Sequence, residues 1–526
     1  MKLFTFLTSF SRIFSFVITI LLLTISTTFA QTLTEQMQVI PGELPDPSII
    51  KVDNVYYAAG TSGDWAPHYP IYSSNDLSKW ELIGHVFNKT PEWTMGSFWA
   101  PELFYKNGIF YCYYTARAKN GISKIGVATT NDITRGFDDK GPLITWGNEA
   151  IDAFVYEQDE TLYITWKAYG LTPEKPIQIL GSKLSEDGLS LVGSEFEILT
   201  ANDEDWEKGG IEGQCIVKQN GYLYMLYSGN NCCGAECDYM VGVARAKKIE
   251  GPWKKYESNP LMAGNSTWKC PGHGTAVDTG NGWYYLYHAY NTGGFPILGR
   301  AAVLSKMYWN DDNGWPYFRV NEESTNGKRL TENILDDFDG NELQKWWVRN
   351  VKANSPDIEV KNGILQLTDT QEKGIGTTGA ILCIVPDSPD FSFSTHVETG
   401  NKARKGLVLY TNEDNSLGLG VQGKEVVLWK IFKGTYYELN RVSIKKGKTI
   451  GLKAIVKDAK NISFEYAITP NDWKEIQDME SNSNNTSGEN LAWWSSGMKA
   501  GLQVSKDEAS GDNSASFESF QIQYGL

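Results

Sequence analysis

One of the strongest folding signals in the chain lies at residues 102–114, which read Glu102-Leu103-Phe104-Tyr105-Lys106-Asn107-Gly108-Ile109-Phe110-Tyr111-Cys112-Tyr113-Tyr114. Two mainly apolar and aromatic runs flank an Asn-Gly pair, and this pair favours the tight turn of a β-hairpin. The stretch therefore predicts two antiparallel strands joined at residues 107–108.

Hairpins of this kind recur from residue 44 to about 320, and hardly any helical periodicity separates them. The other hairpins turn at residues 53–54, 158–160, 220–221 and 280–282, and each is followed by a further pair of strands. Four strands in a unit, repeated every ~50 to 60 residues, are typical of propeller blades. The sequence thus predicts an all-β protein with a five-bladed β-propeller over residues 31–330.

From residue 334 to residue 526 the chain changes to strands in which apolar and polar residues alternate, as at Ile364–Leu367. Turns at short intervals without helical periodicity predict a β-sandwich. The linker at Thr331–Asp337 has no Gly/Ser or Pro run, which favours a docked domain over a tethered one. This sandwich is either a structural partner or a sugar-binding module, and Trp429, Tyr436 and Tyr437 keep the second alternative open as exposed aromatics.

Residues 1–30 have the pattern of a secretory signal peptide. Lys2 and Arg12 precede the apolar run Phe16–Leu23, and small residues lead to a cleavage site near Ala30. The run is short for a membrane span, and no later run is long enough. We therefore expect a secreted or periplasmic protein without a membrane span.

The formal net charge of −15 argues against a nucleic-acid partner or an anionic membrane, because both reward basic patches. The 18 Trp and 27 Tyr residues suit a carbohydrate partner, since flat amphipathic rings pack on sugar faces as well as in cores.

All seven cysteines follow the predicted cleavage site, and an odd number leaves at least one thiol without an intramolecular disulfide partner. The spacing of Cys232, Cys233 and Cys237 matches no standard zinc site. A disulfide that staples this loop, with Cys270 as the candidate partner, is the alternative.

In a propeller the innermost strand of each blade lines the central channel, so residues at the heads of these strands meet at one mouth. Alignment of the five hairpins by their turns places five polar residues there, namely Asp46, Glu102, Asp152, Glu212 and His273. Crowded carboxylates drive their pKa values apart. Hydrolysis of a glycosidic bond requires this division, because one carboxyl group must stay ionised while another donates a proton.

The motifs around these residues resemble the ordered motifs of glycoside hydrolase family 43, whose members are five-bladed propellers acting on arabinose- and xylose-containing polysaccharides. The motifs are Pro45-Asp46-Pro47-Ser48, Trp99-Ala100-Pro101-Glu102, Ile151-Asp152-Ala153, Gly210-Ile211-Glu212-Gly213 and Gly272-His273-Gly274. The segment from residue 334 resembles the concanavalin-like jelly-roll sandwich attached to many members of that family.

The resemblance implies an inverting glycosidase with Asp46 as general base, Glu212 as general acid and Asp152 as the carboxylate that raises the pKa of the acid and orients it. We expect an exo-acting α-L-arabinofuranosidase or β-xylosidase active on plant cell-wall polysaccharides or oligosaccharides. The alternatives are an endo-arabinanase, a galactan-cleaving enzyme and a non-catalytic carbohydrate-binding protein. The loops 64–69 and 230–238 decide between a closed pocket and an open cleft, and the Cys-rich second loop favours a pocket.

Four further residues, together with His273, are candidates for binding. Trp65, Phe98 and Trp99 are predicted to stack on sugar, with packing between blades as the alternative. By the resemblance, Arg300 holds a sugar hydroxyl and a carboxylate, with an ion pair between blades as the alternative. His273 lies where some relatives bind an ion, so a structural calcium held largely through water is left open, and the reaction itself is expected to need no cofactor.

Overall fold

The structure is a computed structural model that describes residues 35–169, 176–319, 331–352, 356–371, 377–445, 447–480, 484–492 and 496–525. Apart from two 3₁₀ turns at Thr292–Gly294 and Gly488–Leu491, its regular elements are strands, which confirms the all-β prediction. The predicted signal peptide at residues 1–30 lies outside the described residues. Within the described ranges, no helix has the length and apolar character that crossing a membrane requires.

The described residues of the N-terminal domain form 22 strands. Its first part contains β1 (Met37–Gln38), β2 (Ser48–Val52), β3 (Val55–Ala59), β4 (Trp65–Ala66), β5 (His68–Ser74), β6 (Glu81–Phe87), β7 (Thr94–Lys106), β8 (Ile109–Ala118), β9 (Ser123–Thr130) and β10 (Asp138–Ile144). Its second part contains β11 (Glu149–Gln158), β12 (Thr161–Tyr169), β13 (Gln178–Lys183), β14 (Phe196–Thr200), β15 (Ile211–Gln219), β16 (Tyr222–Gly229), β17 (Met240–Ala246), β18 (Lys254–Lys255), β19 (Trp268–Asp278), β20 (Trp283–Asn291), β21 (Ala301–Trp309) and β22 (Pro316–Phe318).

The described strands of this domain pair in five successive antiparallel units, which are consistent with the five predicted blades. The units are β2-β3-β5-β6, β7-β8-β9-β10, β11-β12-β13-β14, β15-β16-β17-β18 and β19-β20-β21-β22. Strand β1 adds to the last unit, where Met37 faces Leu304 of β21. The N-terminal strand therefore closes the ring of blades, which holds residues 44–46 next to the end of the domain.

The C-terminal domain is a β-sandwich of two sheets, as predicted. Its strands are β23 (Ile334–Asp336), β24 (Arg349–Asn350), β25 (Asp357–Lys361), β26 (Ile364–Thr368), β27 (Ala380–Ile384), β28 (Phe391–Glu398), β29 (Arg404–Asn412), β30 (Asn415–Gln422), β31 (Glu425–Phe432), β32 (Thr435–Ser443), β33 (Thr449–Lys457), β34 (Asn461–Ala467), β35 (Trp473–Ile476), β36 (Lys499–Ser505) and β37 (Ser514–Tyr524). One sheet has the order β25-β26-β37-β28-β33-β34-β35, with β23 beside β37, and the other has the order β27-β36-β29-β30-β31-β32. Leu365 and Leu367 are buried in the core while Gln366 between them is exposed, as the alternating pattern of β26 requires.

The two domains are docked, as the short linker predicts. Strand β4 of the propeller pairs with β24, and the side chain of Trp65 packs edge-on against Tyr410 of the sandwich, with ring centroids 5.6 Å apart. The prediction of an exposed Trp429 is wrong, because this ring has no exposed surface and lies under the guanidinium of Arg404 at 3.9 Å. Tyr437 alone of the three named aromatics is well exposed, at 45 %.

Candidate active site

Each innermost strand has a residue with left-handed backbone, which lies just before the strand in the first blade and at an irregularity within the strand in the other four. These residues are Asp46 (φ 51°), Ala100 (φ 35°), Asp152 (φ 59°), Gly213 (φ 61°) and His273 (φ 40°). In the last four blades the residue lies where the register of the inner hairpin shifts. Such an extra residue re-aims a side chain at the end of a strand, and non-glycine residues adopt this backbone only where the surroundings hold it.

Buried polar side chains accept the backbone N–H groups of all five residues, and for four of them the acceptor lies in or just after the second strand of a blade. The N–H of Ala100 donates to Thr61 Oγ1 (2.7 Å), that of Asp152 to Thr115 Oγ1 (3.2 Å), that of His273 to Ser228 Oγ (2.8 Å) and that of Asp46 to His288 Nδ1 (3.1 Å). A buried N–H without an acceptor is costly, so each bulge needs such a partner. These four acceptors were not identified from the sequence. Their signal there is a single Ser, Thr or His that lies late in, or just after, the mainly apolar second strand of a blade.

Asp46 is held as a carboxylate. Its Oδ1 lies 2.8 Å from Arg300 Nη1 and 3.0 Å from His288 Nδ1, and its Oδ2 accepts the Thr61 hydroxyl at 2.7 Å. Burial would raise the pKa of Asp46, but the charge of Arg300 outweighs it and holds the pKa well below its usual range. Burial and the same arginine lower the pKa of His288 to about 4, so this ring is neutral.

His273 connects Asp46 with Asp152. Its Nδ1 lies 3.6 Å from Asp46 Oδ1 and 3.6 Å from Asp152 Oδ2. The same oxygen of Asp152 accepts the backbone N–H of Gly213 at 3.2 Å, directly after Glu212. Burial raises the pKa of Asp152 to about 7, and the neighbouring charge of Glu212 adds to this effect. Three of the predicted residues, Asp46, Asp152 and His273, therefore lie together, with Glu212 alongside.

Glu212 receives a hydrogen-bond donor on each oxygen. Lys167 Nζ contacts Oε2, and the Tyr239 hydroxyl donates to Oε1 at 2.9 Å. Burial would raise the pKa of Glu212, but the charge and hydrogen bond of Lys167 outweigh it, so the pKa is lowered. We expected Asp152 to raise the pKa of Glu212; the charge of Glu212 raises the pKa of Asp152, while Lys167 holds the pKa of Glu212 down.

Lys167 was missed in the sequence, although it stands out as a cation in the mainly apolar strand β12. It is opposite Ile151, the residue before Asp152, and this register carries its side chain to Glu212. Because Asp152 and Glu212 titrate together, they are best described as a pair that shares one proton.

Glu102 does not join this cluster. Its carboxyl group accepts the hydroxyl of Ser48 at 2.7 Å, and burial raises its pKa to about 8 although the bond from Ser48 opposes the shift. The spacing from the turn explains the difference. Asp46, Asp152 and His273 lie seven residues before Asp53, Asp159 and Gly280, whereas Glu102 lies only five residues before Asn107, so that Ala100 is the residue at the equivalent position.

The aromatic candidates divide between the domain core and the mouth. The face of Phe98 is covered by His68, with ring centroids 3.6 Å apart, and Trp65 is buried against the sandwich. Neither ring offers a face to a sugar, so we leave both out of the proposed site. Trp99 is only partly buried and carries the guanidinium of Arg117 at 5.5 Å. Stacking on sugar stays a prediction for Trp99.

The loop 230–238 is held by disulfides. Cys237 bonds Cys270, the candidate partner, and Cys232 bonds its neighbour Cys233. The free thiols, Cys112, Cys215 and Cys383, are buried. Cys270 lies three residues before His273, and Tyr239 directly follows the loop, so this disulfide connects two segments that carry site residues.

No cluster of three or more His, Cys, Asp or Glu side chains in the described part of the chain has the arrangement of a metal site. The calcium ion near His273 therefore stays a prediction.

Comparisons with known proteins agree on one family. The model of "Glycosyl hydrolases family 43" matches residues 36–316, and the model of a "Beta xylosidase C-terminal Concanavalin A-like domain" matches residues 335–523. The chain is 28 % identical to a xylan 1,3-beta-xylosidase of Vibrio sp over 54 % of this chain and 57 % of that protein. It is 26 % identical to a xylosidase/arabinosidase of Butyrivibrio fibrisolvens over 92 % of this chain and 98 % of that protein.

The chain spans little more than half the length of the Vibrio relative and 54 % of a Humicola insolens xylosidase/arabinosidase, to which it is 27 % identical over 53 % of this chain. Among solved structures, a xylan beta-1,4-xylosidase of Bacillus halodurans C-125 superimposes with a TM-score of 0.78, covering 93 % of this chain and 100 % of that one at 22 % identity, which shows the fold alone. Because the family 43 model matches residues 36–316, which are more than half of the sequence, the chain belongs to glycosyl hydrolase family 43.

Proposed function

We propose that the protein is a secreted, inverting, exo-acting glycoside hydrolase that releases xylose or arabinose from plant cell-wall polysaccharides or oligosaccharides. The observation that carries this proposal is the contrast between Asp46 and the Asp152–Glu212 pair. Arg300 lies 2.8 Å from the first carboxylate and keeps it ionised, while burial beside Glu212 raises the pKa of Asp152 to about 7.

In this reaction a water molecule attacks the anomeric carbon and gives a proton to Asp46. The bond from this carbon to the leaving oxygen breaks, and Glu212 gives its proton to that oxygen. Glu212 first has to receive a proton. A leaving-group oxygen that displaces Lys167 from Glu212 removes the charge that lowers its pKa, and the proton then passes from Asp152.

The sugar is proposed from the relatives. The xylosidase/arabinosidase of Butyrivibrio fibrisolvens matches along 92 % of this chain, through both domains. An extracellular endo-alpha-(1->5)-L-arabinanase of Bacillus subtilis matches over 52 % of the chain at 27 % identity. Exo action requires a closed pocket, and we propose it over endo action because both loops expected at the mouth are held in place. Loop 230–238 is tied by the Cys237–Cys270 disulfide, and loop 64–69 is covered at Trp65 by the sandwich.

The first test is a panel of nitrophenyl glycosides of xylopyranose, arabinofuranose and galactopyranose, with the product anomer read by NMR. We expect release of xylose or arabinose with inverted configuration. A product with retained configuration would contradict the roles given to Asp46 and Glu212. Hydrolysis of polymeric arabinan at internal bonds, read as an early fall in viscosity, would favour the endo alternative.

The second test separates the two carboxyl roles. Glu212→Gln is expected to slow hydrolysis by about 10²-fold or more for a poor leaving group and much less for dinitrophenolate, which leaves without a proton. Asp46→Asn is expected to slow both substrates alike. Glu102→Gln is the matched control, because Glu102 is a buried carboxyl group outside the cluster. Unchanged rates in Glu212→Gln would overturn the acid role of Glu212, whereas an unaltered chain that binds xylan or arabinan but hydrolyses none of the glycosides would leave the carbohydrate-binding alternative.

Secretion is proposed from residues 1–30 alone. N-terminal sequencing of the exported protein is expected to begin at Gln31, and a mature chain that retains residues 1–30 would contradict it.

A further inference from the structure

A buried ion pair joins the sandwich to the segment that carries Asp46. Glu43 lies three residues before Asp46, and its Oε1 contacts Lys499 Nζ at the start of β36. Their side chains are only 9 % and 2 % exposed. Ser496 Oγ donates to the same oxygen at 2.9 Å, and the N–H of Gly497 donates to Oε2 at 2.7 Å. Three donors from one turn of the sandwich therefore surround a single carboxylate of the propeller.

The backbone on both sides of this contact is tightly fitted. A Cβ atom at Gly299 would lie 1.8 Å from Glu43 Oε2, and one at Gly497 would lie 2.4 Å from the carbonyl of Leu298. The N–H of Met498 also donates to the carbonyl of Ile297 at 2.8 Å. The sandwich turn thus packs on residues 297–299, immediately before Arg300.

The same two segments hold Asp46. The N–H of Leu44 donates to the carbonyl of Arg300 at 2.9 Å, and the Arg300 guanidinium contacts Asp46 at 2.8 Å. Two residues before Leu44, Gly42 donates its N–H to the Asp387 side chain of the sandwich at 2.7 Å. Asp46 has φ 51°, a backbone that persists only where its surroundings fix it. Both the residue and its arginine therefore depend on segments that the sandwich clamps.

We propose that Glu43 and Lys499 are positioning residues through which the C-terminal sandwich fixes the general base Asp46. This role rests on the proposed function of Asp46, but it does not involve the mouth of the site or a contact with sugar. A buried ion pair adds little net stability compared with an apolar pair, yet it imposes one geometry. That property suits a contact whose task is alignment.

The test uses Glu43→Gln and Lys499→Met in the full chain, assayed on the best nitrophenyl glycoside. We expect kcat to fall about ten-fold or more with KM within about two-fold, because a displaced base impairs the attack of water and not binding. Lys345→Met is the matched control, since it removes another contact between the domains, from Nζ to the carbonyl of Ile83 at 2.9 Å. Its kcat is expected to stay within about two-fold of the unaltered chain.

Azide distinguishes a misplaced base from a general loss of structure. Azide needs no deprotonation, so it forms the C–N bond at the anomeric carbon while the aglycone leaves with the proton of Glu212. We expect azide to restore turnover in Glu43→Gln and Lys499→Met, with a glycosyl azide as product. Asp46→Gly is the positive control. If Lys499→Met does not fold, Ser496→Ala removes one donor only and is expected to show a smaller loss with the same restoration.

The outcomes separate the two proposals. An Asp46→Gly variant that is neither slowed nor restored by azide would overturn the role of Asp46 itself. If Asp46→Gly is slowed and azide restores it, either of two results would overturn the positioning role alone. One is full activity in Glu43→Gln and Lys499→Met, and the other is a loss of activity in these variants that azide does not restore.

Discussion

The phenol ring of Tyr239 stacks on the imidazole of His288, with ring centroids 5.6 Å apart and an angle of 10° between the planes. The hydroxyl of Tyr239 donates to Glu212 at 2.9 Å, while His288 Nδ1 lies 3.0 Å from Asp46. Two buried rings therefore link the proposed acid to the proposed base. A change that moves either ring is expected to disturb both carboxylates.

Gly272→Ala tests this link. A Cβ atom at residue 272 would lie 2.1 Å from Tyr239 Cδ1, and the stacked His288 limits how far the ring can move. We expect kcat on a nitrophenyl glycoside to fall about 10²-fold as Tyr239 leaves Glu212. Gly84→Ala is the control, because the nearest atom to its Cβ is a carbonyl oxygen at 3.4 Å. Full activity in a folded Gly272→Ala protein would show that Tyr239 does not orient the acid.

Lys167→Met is expected to move the alkaline limb of the profile of kcat/KM against pH. The Asp152–Glu212 pair must hold a proton for catalysis, and the pKa of Asp152 is about 7, so kcat/KM should fall above that pH. The charge of Lys167 lowers the pKa of both carboxyl groups, and its removal therefore raises them. The limb should shift to higher pH by about one unit or more. A limb that stays in place would mean that Lys167 does not set the protonation of the pair.

Arg300→Met should act on the other limb. The guanidinium lies 2.8 Å from Asp46 and is the main charge that lowers the pKa of this buried group. Its removal raises that pKa, so Asp46 becomes protonated at a higher pH and the acid limb of kcat/KM moves up by about one to three units. The same pH titration measures it, with Lys345→Met as the control. An acid limb equal to that of the unaltered chain would assign the limb to another group.

Glu102→Gln should change how stability depends on pH. The pKa of Glu102 rises from an ordinary 4.5 to about 8 on burial, so between these values the folded state keeps a proton that the unfolded state has lost. Stability therefore falls as pH rises, by about 1.4 kcal/mol per pH unit from this group. Glutamine removes that dependence and can still accept the Ser48 hydroxyl.

Urea unfolding at pH 5, 6, 7 and 8 checks this expectation. The unaltered chain should lose stability relative to Glu102→Gln with each step. Asp152 contributes in the same sense up to about pH 7 in both proteins, so the difference isolates Glu102. Parallel curves would show that Glu102 is ionised when buried.

Much of the fold was predictable from local patterns. Turn pairs such as Asn107-Gly108 and Asn220-Gly221 mark hairpins because they favour the backbone of tight turns, and the hairpins recur in blade-like units. Glu102 was misplaced because it lies five residues before the turn at Asn107, whereas Asp46 and His273 lie seven residues before Asp53 and Gly280. Ala100 has that spacing, and it carries the left-handed backbone of the second blade.

The repeat of hairpins, the order of motifs around Asp46, Asp152 and Glu212, and the change to a sandwich near residue 334 could all be predicted from the amino-acid sequence. Each of these features depends on residues that are close together in the chain. Which charges come into contact depends on folding, because Arg300 is 254 residues from Asp46 and Lys499 is 456 residues from Glu43. A pKa follows from burial and from such distant neighbours, and no local pattern records either of them.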